Sequence, residues 1–211
     1  MKLNNILNDT LIVVPTYNES ANLEKTIINL QKYFPNILII DDGSTDNSTS
    51  FLDDFKHINL LTHSINLGQG KSLETGFIYF LSKGYKYIIT FDSDGQHLTK
   101  DALGMIKYIY ANDLDYLLGS RFLKNKKTYI PKLKKFILKL VLFFENYRSN
   151  LKLTDAHNGL RVLNRKAVKD ILPIKCSKMA HASEIVKKLG KSKLNGCEFP
   201  VTIIYKNKKS Q

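Results

Sequence analysis

Between Leu11 and Leu118 the chain alternates short apolar runs with amphipathic stretches of helical period. Leu11–Val14 and Ile37–Ile40 are continuous apolar runs that predict buried strands. A third strand is expected near Asn59–Thr62, a fourth over Tyr87–Phe91 and a short fifth over Tyr116–Leu118. Leu23, Ile27 and Leu30 share one helical face, which predicts a helix through about Tyr33 capped by Asn18 or Ser20. Two further helices are expected over about Lys71–Leu81 and Leu98–Tyr110. This alternation is the pattern of an α/β fold with a mostly parallel sheet and helices outside it.

The second half is less regular. Residues 128–147 contain Pro131 and then a helical pattern of Phe136, Ile137, Leu140, Val141, Phe143 and Phe144, with Lys132, Lys135 and Lys139 along one side. Over 131–147 two readings stay open: an amphipathic helix lying on anionic lipid, or a core or dimer-interface helix. Val162–Leu163 begins another element, Met179–Leu189 reads as a helix, and Cys197–Tyr205 as a last strand before a basic tail.

Polar clusters stand at the carboxyl ends of the expected strands: 15–19, 41–46, 66–71, 92–97 and 119–121. In open α/β sheets that edge is where ligands bind. The most informative cluster is Ile88 to His97, where a strand runs into Asp92 and Asp94 and then Gly95, Gln96 and His97. Alternate side chains of an extended segment share a face, so the two carboxylates converge just past the strand end. Hard oxygen ligands there suit Mg²⁺ or Mn²⁺ held by few protein groups and by substrate phosphates. The competing reading is an Asx-Gly turn whose carboxylates cap the next helix. In Asp41-Asp42-Gly43-Ser44-Thr45-Asp46, Asp42 is a candidate for holding a base or ribose, and Asp46 reads as a helix cap.

Composition narrows the classes. A chain of 211 residues is expected to be one domain with a full core. No apolar run nears the roughly 20 residues of a spanning helix, and the first apolar run stops at Pro15 without a signal-peptide pattern. Cys176 and Cys197 fit no metal or redox spacing, so a reducing cytosol is expected. Residues 1–105 carry 8 Lys+Arg against 12 Asp+Glu, net −4, whereas residues 106–211 carry 24 against 7, net +17. The asymmetry points to an anionic partner for the second half, or to a generally lysine-rich composition. Gly68-Gln69-Gly70-Lys71-Ser72 ends like a phosphate loop, but Ile65 stands where its first glycine is required. Calcium-loop, zinc and serine-hydrolase patterns are absent.

Taken together, Pro15-Thr16-Tyr17-Asn18-Glu19, Asp41-Asp42-Gly43-Ser44-Thr45-Asp46, Asn66-Leu67-Gly68-Gln69-Gly70, Asp92-Ser93-Asp94-Gly95-Gln96-His97 and Gly119-Ser120-Arg121 resemble a family 2 glycosyltransferase of the GT-A fold. Within that family the chain resembles the dolichyl- or polyprenyl-phosphate sugar transferases, over roughly residues 10–205. The resemblance implies a single GT-A domain over 1–211, with a nucleotide-sugar half at 10–125 and an acceptor- or membrane-facing half at 126–211. It implies that Pro15, Tyr17 and Glu19 line the base and ribose pocket, that Asp42 helps hold the nucleoside, and that Lys71 sits near the nucleotide. Asp92 would contact ribose or metal, Asp94 and Gln96 would ligate Mg²⁺ or Mn²⁺, and Arg121 would meet a phosphate. Asp155 is the candidate base or acceptor-orienting group, against the alternative of a turn carboxylate paired with Arg161. Arg121 with Arg161 or Lys132 is the candidate lipid-phosphate site.

The expected activity is metal-dependent, inverting transfer of a sugar from a GDP- or UDP-sugar to a polyprenyl-phosphate or other lipid-linked acceptor. The expected location is cytoplasmic and peripheral, at the cytoplasmic face of the membrane. Glycan elongation through a sugar hydroxyl is the second reading, and a homodimer is left open. A nucleic-acid-binding module is disfavoured, because acidic loops line the candidate site and no recognition helix stands out.

Overall fold

The structure, a computed structural model, describes residues 2–55, 58–123, 142, 146–147 and 149–205. The expected helix over 131–147 therefore lies outside the described residues, apart from three positions near its end. The strands are β1 (Thr10–Thr16), β2 (Ile37–Asp41), β3 (Ile58–Thr62), β4 (Tyr87–Thr90), β5 (Tyr116–Ser120), β6 (Arg161–Asn164) and β7 (Gly196–Pro200). The helices are α1 (Lys2–Asn8), α2 (Leu23–Gln31), α3 (Gln69–Ser82), α4 (Thr99–Ala111), α5 (Arg165–Ile171) and α6 (His181–Lys191), with a 3₁₀ turn at Ser50–Asp54.

The strands form one sheet in the order β3-β2-β1-β4-β6-β5-β7. All run parallel except β6, which is antiparallel to both neighbours. Continuous apolar runs are what a sheet covered on both faces needs. Ile12 and Val14 of β1 join a core with α1, α2 and α4. Leu11 and Val13 point the other way, into a core with α3, α5 and α6.

Within the described residues the expected strands and helices are present, with ends shifted by a few residues. Two differences matter. The first helix starts at Leu23 behind Asn22 rather than at Asn18 or Ser20. Asn18 instead adopts a left-handed φ of 53°, and its side-chain oxygen accepts from the backbone N–H of Thr45 at 2.9 Å. That ties the loop after β1 to the loop after β2. The last strand stops at Pro200, and beyond it Ile203 makes a single bridge to His97. Helix α1 carried too short a pattern to be predicted.

The end of α3 is closed from a distance. Arg165 Nη1 donates to the carbonyls of Phe80, Lys83 and Tyr85 at 3.3, 2.8 and 3.1 Å, and Nη2 to that of Leu81 at 2.7 Å. Phe80 and Leu81 lie in the last turn of α3, where carbonyls lack i+4 partners and a cation is favoured by the helix dipole, and Lys83 and Tyr85 follow it. Arg165→Met is expected to destabilise the fold by about 2 kcal/mol in urea unfolding, with Arg165→Lys recovering less than half. A loss below about 0.5 kcal/mol would show that solvent replaces the guanidinium.

Candidate functional site

A cleft of about 620 Å³ opens over the carboxyl ends of β1, β2 and β4. Pro15, Tyr17, Glu19, Asp42, Asp92 and Asp94, all expected from sequence, line it. Tyr17 is an exposed aromatic at its mouth.

Asp92, at the end of β4, is the best-held of these groups. Its Oδ1 accepts from Gln69 Nε2 at 3.0 Å, and its Oδ2 lies 3.1 Å from His97 Nε2. The carboxylate rests against Gly159, where an added Cβ would come within 2.1 Å of Oδ2. Burial pushes the Asp92 carboxyl up, but the hydrogen bond from His97 and the nearby charge of Arg161 bring it below its ordinary value. Asp94 differs. Its Oδ1 accepts from the Gln96 backbone N–H at 2.9 Å, while Oδ2 has no partner among the described residues and the side chain is half-buried on the cleft wall. One Asp94 oxygen thus closes the turn after β4, and the residue lines the cleft.

Asp42 is nearly enclosed. Its oxygens accept from the backbone N–H groups of Leu67 and Gly68 at 3.0 and 2.7 Å, and Oδ1 lies 2.7 Å from His63 Nδ1. It borders the cleft while stapling the 66–68 loop to β2. Asp46 accepts from Ser20 N and Ser48 N, and caps a loop rather than a helix.

Three expectations need correction. Lys71 does not line the cleft: its ammonium pairs with Glu74 and donates to the Ile174 carbonyl at 2.9 Å. The register of α3 turns Gln69 and Ser72 to the cleft and Lys71 away. Gln96 does not line it either, and its backbone carbonyl accepts from Ile204 N at 2.9 Å. Asp155 is no open base. Arg121 clasps it through Nε at 2.6 Å and Nη2 at 3.1 Å, the Asp155 side chain is 2% exposed, and neither residue reaches the cleft wall. The turn-carboxylate alternative is the one observed, with Arg121 rather than Arg161 as partner.

Arg161 is buried at the start of β6, where it pairs with Thr90 of β4 and Leu118 of β5. Burial lowers it to about 10, against the opposing pull of Asp92 and Asp155, so it stays charged near neutrality. Lys132 lies outside the described residues.

Sequence reasoning missed Gln69's role, and also Lys178 and Met179, which close the cleft from 178–179. Only the tertiary fold brings that distant loop over α3. Gly70 N donates to the Ser177 carbonyl at 2.7 Å, and a Cβ on Gly70 would fall 2.1 Å from the Cys176 carbonyl. Glu184 anchors the same loop by accepting from Lys175 N and Cys176 N at 3.0 and 2.8 Å.

Among the described residues no group of three or more His, Cys, Asp or Glu could hold a metal by itself. The free Asp94 oxygen on a cleft wall does fit a hard cation that takes its other ligands from a substrate diphosphate and water.

A sheet parallel but for one reversed strand, with an acidic cleft over its carboxyl edge, is a GT-A arrangement. The chain belongs to glycosyl transferase family 2, whose model matches residues 11–172. An uncharacterized protein of Methanocaldococcus jannaschii is 33% identical over 208 residues, covering 97% of this chain and 85% of that protein. The UDP-N-acetylglucosamine–dolichyl-phosphate N-acetylglucosaminyltransferase of Methanococcus voltae is 28% identical over 214 residues, covering 92% and 85%. Among solved structures, glucosyl-3-phosphoglycerate synthase of Mycobacterium tuberculosis with Mn²⁺, UDP and glucosyl-3-phosphoglycerate superposes with a TM-score of 0.67 at 12% identity, covering 97% of this chain and 76% of that one. At that identity the likeness is one of fold.

The loop that carries Lys178 has a pH signature. Burial pushes the Glu184 carboxyl up, but the Lys188 ammonium and the two backbone N–H donors outweigh it and bring it down to about 2. A carboxyl lowered on folding adds stability that is complete above its unfolded value, near 4.5, and fades as pH falls toward 2. Glu184→Gln is therefore expected to lower stability at pH 7 and to match the parent more closely as pH drops through that window. A stability gap that stays constant over the window, measured by urea unfolding, contradicts this.

Proposed function

We propose that the protein transfers a sugar from a nucleoside-diphosphate sugar to a lipid-linked phosphate acceptor, in a metal-dependent, inverting reaction. The observation that carries this reading is the division of labour at the end of β4, with Asp92 held by its neighbours and Asp94 free to take a ligand. Residues 10–125 then form the donor half and 126–211 the acceptor half.

In this reading Tyr17 and Pro15 meet the base, and Glu19 with Asp92 meets the ribose. Asp94 holds Mg²⁺ or Mn²⁺, and the bound cation offsets the charge that grows on the departing diphosphate. Lys178 is the single Lys or Arg among the described residues lining the cleft, and supplies a second positive charge to the same diphosphate. Gln69 and His97 keep Asp92 still during the reaction.

The closed Arg121–Asp155 pair favours a phosphate over a hydroxyl acceptor. A sugar hydroxyl needs a carboxylate within reach, and the candidate for that role is already bound. A phosphomonoester has a second pKa of about 6 and is nucleophilic at neutral pH without a base. Tyr205, held by Arg121 Nη1 at 3.3 Å, joins Phe122, Leu123 and Ile204 as exposed apolar side chains near the same edge. They suit the lipid part of an acceptor. Among the described residues no helix is long and apolar enough to cross a membrane, and the proposed placement is peripheral, on the anionic cytoplasmic face.

Asp94→Ala is expected to keep the parent melting temperature and lose at least about a hundredfold in transfer. A thermal-shift panel of UDP- and GDP-sugars with and without Mn²⁺ should show a metal-dependent shift for one donor in the parent and none in the variant. Undiminished transfer by Asp94→Ala would remove the metal site. The +17 charge of residues 106–211 predicts co-sedimentation with anionic vesicles that weakens as salt rises. Equal sedimentation with neutral and anionic vesicles at low salt would remove the membrane arm.

A further inference from the structure

His97 touches Asp92 with one ring nitrogen and leaves the other unexplained. Its side chain is 3% exposed, packed edge-on against Phe91 at 5.7 Å between centroids. Nε2 faces the Asp92 carboxylate, so that nitrogen carries the hydrogen. Nδ1 is buried and has no hydrogen-bond partner among the described residues. A buried acceptor left unmet is costly, and native proteins generally avoid it by admitting water.

The place for that water is adjacent. His97 lines a cavity of about 70 Å³ between α2 and the turn after β4, bordered by Asn22, Lys25, Thr26, Asn29 and Thr99. A water needs roughly 10–15 Å³ of such space, so there is room for more than one. This cavity shares no lining residue with the donor cleft. Thr26 Oγ1 already donates to the Ser93 carbonyl at 3.3 Å, which ties the cavity wall to the residue between Asp92 and Asp94.

We propose that this second cavity is a hydration site whose ordered water donates to His97 Nδ1, and that His97 so held is a positioning residue for Asp92. The water fixes the ring with Nε2–H turned to the carboxylate. Asp92 is then gripped by two donors, His97 below and Gln69 beside it, and keeps the orientation the donor substrate meets. The link to catalysis rests on the transferase reading above, whereas the water and the tautomer do not.

The test uses the full chain labelled with ¹⁵N-histidine. Long-range ¹⁵N–¹H correlation spectra should show one ring locked as the Nε2–H tautomer, and its signals should vanish in His97→Phe. A crystal structure should place a water within hydrogen-bond distance of Nδ1. Titration of the Mn²⁺-loaded protein with UDP or GDP should show His97→Phe binding the nucleotide about tenfold more weakly, with His97→Gln restoring most of the loss. An Nδ1–H tautomer, a doubly protonated ring or a dry cavity overturns the hydration site, even if His97→Phe fails to fold. Parent-like nucleotide affinity in a folded His97→Phe overturns the positioning role. Absence of any sugar transfer by the parent would instead sink the proposed function and leave the tautomer result standing.

Discussion

Asp92 is where three distant parts of the chain meet. Gln69 comes from the start of α3, His97 from the turn after β4, and Gly159 from the loop before β6. Each contact constrains the others. Gln69 reaches the carboxylate because α3 begins at the edge of the cleft, and Gly159 allows the approach because it has no Cβ to intrude. A partly buried carboxylate is kept ionised by the donors and cations around it. Here they are His97, Gln69 and the nearby charge of Arg161.

The reversed strand explains how the second half of the chain enters the site. Thr90 at the end of β4 pairs with Arg161 at the beginning of β6. Because β6 runs against its neighbours, its leading loop, rather than its trailing one, lies over the carboxyl edge of the sheet. That brings Asp155, Gly159 and Arg161 beside the donor cleft. The 175–179 loop arrives by another route, seated on Gly70 and anchored by Glu184 at the first turn of α6.

These routes also decide what was legible from sequence. Strands β1, β2 and β4 were plain because a strand buried on both faces must be apolar throughout, and their polar ends marked the cleft. Lys71 was misplaced because motif position says that a residue is near the site, while helical register says which way it points. The clasp of Asp155 by Arg121 spans 34 residues and is invisible to spacing. Lys178 gave no local signal, since a lone lysine in a lysine-rich half is unremarked until the fold lays it over acidic neighbours.

The clasp has a mechanistic consequence. Withdrawing Asp155 to act as a base would strand a guanidinium beside it, and breaking a buried pair in this way costs about 3–5 kcal/mol. Glu198 adds to the cost, because it holds the Thr154 and Asp155 backbone N–H groups at 2.8–2.9 Å and so fixes the turn that carries the carboxylate. Arg121 is better placed to change partners than Asp155. Its side chain is 28% exposed against 2% for Asp155, and its Nη1 points to Tyr205 at the surface. An acceptor that brings its own negative charge can share that guanidinium without dismantling the pair, whereas a neutral hydroxyl gains nothing from it. The geometry of one ion pair thus leaves Asp155 committed and Arg121 the member open to a second partner.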